Sequence, residues 1–204
     1  MSAAPIAEPR YAPAVDVAGR AIGIVPGDRR DTTRRPRPKT RENIRAAYRA
    51  LFGMATQGIA LADRHLVAGF VAGLTEPGSA VAEWHRARAG DPQLVDRLLE
   101  SAAQMEPWGT HRDAKLALAG QPGQWWQVPE DEREHLGVPL AAVVEHAHFL
   151  VLHPREARPK VLATLAAAGW TRAQIATWSQ VISFISVQVK LTAGFTVAAG
   201  EAGR

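Results

Sequence analysis

The longest patterned stretch of the sequence lies near its end, from Thr171 to Ala199. It opens on Thr-Arg-Ala-Gln, in which Thr171 and Gln174 can each satisfy the other's backbone N–H, the reciprocal cap that starts a helix. Ile175, Trp178, Ile182, Ile185 and Val189 then recur at three- and four-residue steps and mark one buried stripe. At a rise of ~1.5 Å per residue such a helix runs about 40 Å. Residues 181–189 also alternate in the manner of a strand, but length and capping favour the helix.

The rest of the sequence supplies further helices. Thr40 is placed to cap a helix from Arg41 to Phe52 with Ile44, Ala47, Tyr48 and Leu51 on one stripe, and Gly53 ends it. A second helix starts near Asp63 and repeats Leu66, Val67, Phe70, Val71 and Leu74. Pro77 and Gly78 stop it, and Ser79 caps a third helix that reaches Ala89. Asp91 and Pro92 then form the cap and first position of a fourth, which carries Leu94, Val95, Leu98 and Leu99. Thr110 starts another. A polar loop with Trp125 and Trp126 follows, then a helix from near Pro139 and one from Pro154 to Ala168, apart from Pro159. No hairpin turn signal competes. The expectation is an all-α fold, with an irregular N-terminal arm over residues 1–38 and a helical domain over 39–200.

Charge is unevenly placed. The chain has 204 residues, 24 basic and 20 acidic, and seven of the basic residues but one acidic residue fall between Arg29 and Arg41. The remainder holds 17 basic against 19 acidic residues, so the folded body is not basic. That argues against a nucleic-acid-binding surface, because the excess sits in one short Pro-containing stretch. Lys190 and Gln188 interrupt the most apolar segment, which argues against a membrane span, and the N-terminus lacks a signal-peptide pattern. A cytoplasmic protein is expected. The sequence contains no cysteine, which removes disulfides, thiolate–metal sites and cysteine nucleophiles.

Two segments carry a resemblance. Leu61–Leu74 with His85–Ala89, and Glu145 to Phe195, are similar to the carboxymuconolactone decarboxylase / AhpD-like (alkylhydroperoxidase-related) superfamily. The resemblance implies an all-helical AhpD-like bundle that forms homo-oligomers. In redox-active members a Cys-x-x-Cys pair, a histidine and an acid work together. On this chain the histidine corresponds to His85, the cysteine positions fall on Gly78 and Val81, and the acid falls near His65. The resemblance therefore implies a scaffold without thiol peroxidase chemistry, acting as a divergent binding or partner subunit, assembled with itself or with a cysteine-bearing relative. It leaves room for a cofactor-independent acid/base enzyme, of decarboxylase or isomerase type, on a small carboxylic or lactone substrate.

His85, with Glu83 beside it, is the candidate general base, since an imidazole titrates near neutral pH; its alternative is a half-buried relic beside Trp84. His65 is a second candidate, with a surface histidine as its alternative. Trp84, Ser79 and Trp125 are candidate substrate contacts. His146 and His153 share a helical face that His148 does not, a poor chelating pattern, and the cluster from Glu145 to His153 is expected to form the satisfied polar edge of a helix against another subunit. Two histidines fall short of the three protein ligands a metal site needs, so no metal and no cofactor are expected.

Overall fold

The computed structural model describes residues 17–21, 23–24, 27, 29–34, 38–53, 58–104, 125–157 and 159–201. They form nine α-helices and no strand. In chain order these are α1 (Val17–Ala21), α2 (Arg29–Arg34), α3 (Pro38–Phe52), α4 (Leu61–Thr75), α5 (Ala80–Arg86), α6 (Pro92–Ala103), α7 (Glu130–Leu152), α8 (Pro159–Ala167) and α9 (Arg172–Glu201). The all-α expectation with a long C-terminal helix holds. The helix expected from Thr110 lies outside the described residues.

Helix α4 is the hub. Every residue from Arg64 to Gly73 is buried, so it has no solvent stripe, and α3, α5, α6, α7 and α9 all pack on it. Small residues let its neighbours close in. A Cβ on Gly69 would lie 3.1 Å from the backbone nitrogen of Arg86, which is how α5 comes against α4. The stripe Ile175, Trp178, Ile182, Ile185 and Val189 of α9 is buried in full. Its capping box forms as the sequence implies: the Thr171 N–H donates to Gln174 Oε1 at 3.0 Å and the Gln174 N–H to Thr171 Oγ1 at 3.3 Å. Ser79 and Asp91 cap α5 and α6 by accepting from Ala82 and from Gln93 and Leu94.

Several boundaries differ from expectation. The helix expected from Pro154 is a short 3-10 turn at Pro154–Glu156, and the α-helix starts only at Pro159, a residue whose missing N–H suits a first helical position. Residues 17–21 and 29–34 are helical rather than irregular, and Ala21 and Ile24 join the core. Helices of five and six residues are too short to display a periodic stripe. Helix α3 begins at Pro38, so Thr40 sits inside it rather than at its cap. The segment before Pro139 is helical from Glu130. Gly137, at φ 72°, breaks it, and a second run continues from there. Glu130, Asp131 and Glu132 in its first turn complement the helix dipole.

Residues Glu130–Leu152 and Arg172–Ala198 are long and apolar enough to cross a membrane by length and composition alone. Both also supply core side chains, among them Val143, Val144, Trp178 and Ile185.

Candidate functional site

His65 and His85 meet. They come from α4 and α5, and their Nδ1 atoms lie 2.9 Å apart. His85 has no exposed surface and His65 is 5% exposed, so the surface position expected for His65 and the half-buried one for His85 are both corrected. The reason is the close α4–α5 packing, which no spacing within either helix reveals. Phe52 covers the pair, its ring centroid 5.1 Å from that of His65 and 4.7 Å from that of His85. Tyr48, one turn earlier on α3, packs on Phe52 at 5.1 Å and accepts a hydrogen bond from Trp84 Nε1 at 2.9 Å.

Arg64 holds this lid in place. Its guanidinium, almost wholly buried, donates to the carbonyl of Leu51 in the last turn of α3, where a cation also complements the helix dipole. The residue next to Leu51 is Phe52. The same side chain that ties α3 to α4 thus fixes the ring over the two imidazoles.

A 2.9 Å contact between two ring nitrogens needs one N–H and one lone pair. His85 Nε2 is buried and has no hydrogen-bond partner. If His85 accepted at Nδ1, its Nε2 would carry a buried N–H with no acceptor, a rarer situation than an unmatched lone pair. The arrangement therefore favours His85 donating from Nδ1 to Nδ1 of His65. Both rings are held neutral. Burial pushes the His65 pKa down to about 4, with the Arg88 and Arg64 cations adding to it. Burial, then His65 and Arg88, push His85 well below its ordinary value.

The other expected site residues do not join the pair. Glu83 is exposed and paired with Arg86 at 3.0 Å. Ser79 uses its hydroxyl as a helix cap, accepting from the Ala82 N–H at 3.2 Å. Trp84 is half-buried, under the guanidinium of Arg88 at 3.4 Å. Trp125 packs on Phe149 and His153, 4.5 and 5.5 Å away, and is 41% exposed. Its neighbour Trp126 is core, stacked on Phe70 with its N–H on Ser101. His146 and His148 are both buried, and His146 has no hydrogen-bond partner at either nitrogen. They are not the satisfied outer edge of a helix. Burial lowers both to about 4. Among the described residues no group of three or more His, Asp or Glu side chains converges to hold a metal.

No protein-family model and no curated protein matches the chain in sequence.

A cleft of about 520 Å³ opens on a different face of α4, lined by Asp63 and Leu66 with Asp91 at the N-cap of α6, Leu94 of α6, Leu140 of α7, and Trp170. His85 and His65 do not line it. Sequence reasoning treats Asp63 and Asp91 only as helix-terminal residues, because nothing local indicates that two first turns will face one hollow.

Proposed function

We propose that this chain is a divergent AhpD-like protein without thiol peroxidase activity that serves as a binding or partner subunit, assembling with itself or with a cysteine-bearing relative. One observation carries the reading: where a peroxidase of that superfamily needs thiols and a proton-transferring histidine, this chain has no cysteine and a neutral, sealed imidazole pair. A general base works best with a pKa near the working pH. His85 lies far below that, and its outer nitrogen faces no partner. The test is hydroperoxide consumption by purified, metal-free protein with a dithiol reductant, together with its mass in solution. The reading expects no turnover above the buffer blank and a species larger than the 22.0 kDa chain. Reductant-dependent peroxide turnover, or a strictly monomeric chain that pairs with nothing, contradicts it.

A second reading has one specific support. The His65–His85 hydrogen bond is a route along which a proton can pass, as a cofactor-independent decarboxylase or isomerase of a small carboxylic or lactone substrate would need. Under it, such an activity disappears in His85→Gln while helicity is kept.

A further inference from the structure

The cleft beside α4 contains one carboxylate with work still to do. Asp91 is committed: Oδ1 accepts from the N–H groups of Gln93 and Leu94, at 2.9 and 3.1 Å, and Oδ2 lies 3.5 Å from Arg97 Nη2. Arg97 in turn reaches Glu132 at 3.3 Å. Asp63 has no hydrogen-bond or ion-pair partner among the described residues, although it is half-buried. Its sequence neighbour Arg64 is turned toward the end of α3. Burial pushes the Asp63 carboxyl above the ordinary carboxylate range, with Arg64 opposing the shift.

The surroundings define what would complete it. Leu66, Leu94, Leu136 and Leu140 supply an apolar wall, and Trp170 closes one side. The Trp170 indole is fixed in advance, its N–H donating to the Pro139 carbonyl at 2.8 Å and its ring set edge-on to Trp178 at 5.6 Å. A volume of about 520 Å³ suits a small molecule rather than a bare ion. An anion would meet two carboxylates, while the nearby Arg97 is already engaged and His135, which also lines the cleft, lies 3.9 Å from Asp91 Oδ2. A metal ion would find too few open ligands. A wholly apolar guest would leave Asp63 desolvated and unpaired, which is unfavourable. A ligand with an ammonium head and an apolar body meets each of these conditions.

We propose that this cleft binds a small organic ammonium ion, with Asp63 as its counter-ion and the leucines and Trp170 enclosing its hydrocarbon part. The site does not use the His65–His85 pair, so its failure would leave the preceding reading standing.

The probe is 2-phenylethylamine, titrated into the full chain by calorimetry and by amide chemical shifts. Saturable binding is expected, with shifts at Asp63, Leu94 and Trp170. The neutral isostere 2-phenylethanol should bind at least about tenfold more weakly, the difference that ~1.4 kcal/mol represents. Asp63→Asn should weaken the amine by a similar factor and leave the alcohol unchanged. Phenylacetate should not compete. The proposal is overturned if the amine does not saturate, if phenylacetate binds as well as the amine, or if Asp63→Asn binds the amine like the wild type. Should Asp63→Asn fail to fold, the amine-to-alcohol ratio on the wild-type chain still decides.

Discussion

His65 and His85, twenty residues apart in sequence, share one hydrogen bond between their Nδ1 atoms at 2.9 Å inside the contact of α4 with α5. Between two neutral rings the bond requires opposite tautomers, and burial penalises a net charge on either ring. Two groups with ordinary values near neutrality have become a neutral polar joint.

Removing one ring strands the other. His65→Leu or His85→Leu should each cost about 1–3 kcal/mol, since a buried polar nitrogen loses its partner. The double variant should lose clearly less than the sum, because no orphan remains. Urea denaturation of the four proteins measures the coupling. Additive losses would mean the two rings do not depend on each other.

Stability should fall as the medium is acidified. The folded pKa values of His65, His146 and His148 are lowered to about 4, and burial holds that of His85 well below its ordinary value. The unfolded chain titrates these groups near ~6.5. Below that value the unfolded state binds protons that the folded state refuses. Each such histidine then removes up to about 1.4 kcal/mol per pH unit, and the loss continues toward pH ~4. Above the unfolded value these histidines leave stability flat. Denaturation midpoints measured across this window check the slope, and a midpoint insensitive to acid would contradict it.

Helix α5 should be displaced by one methyl group. At Gly69 a Cβ meets the Arg86 backbone at 3.1 and 3.4 Å, and a backbone cannot rotate away as a side chain can. Gly69→Ala gains about 1 kcal/mol of helix propensity but overpacks the contact, which typically costs about 1–3 kcal/mol. A net loss of about 1 kcal/mol is expected by thermal or urea unfolding. A gain in stability would show that α4 and α5 have more room than this.

Ser79 provides a separate test of role. Ser79→Ala should cost about 1 kcal/mol, whereas Ser79→Asp should keep the cap. Unfolding curves for both variants decide it. Equal losses would mean that the hydroxyl does something other than cap α5.

What could be read from the sequence was local. Ser79, Asp91 and the Thr171–Gln174 pair act within one helical turn, so their chemistry is written in adjacent residues. The α9 stripe is equally local, since it repeats over about four turns of one helix. By contrast, α1 and α2 are too short for periodicity. The run Glu130–Leu136 is too polar for an apolar stripe, and Arg133 instead pairs with Glu145. The burial of His65 and the meeting of Asp63 with Asp91 at one cleft arise from helix–helix packing, where the partners lie twenty or more positions apart. Tyr48 and Phe52 fell on or near an expected core stripe, but nothing in that stripe indicated that they would roof an imidazole pair.

The most direct measurement is the nitrogen NMR of the two imidazoles in the intact chain, followed from neutral pH down through about 6.5. Both rings are expected to stay neutral across that range, with His85 protonated at Nδ1 and His65 accepting there. An imidazolium signal from either ring that titrates near the ordinary histidine value, or the same tautomer on both, would contradict the sealed neutral pair.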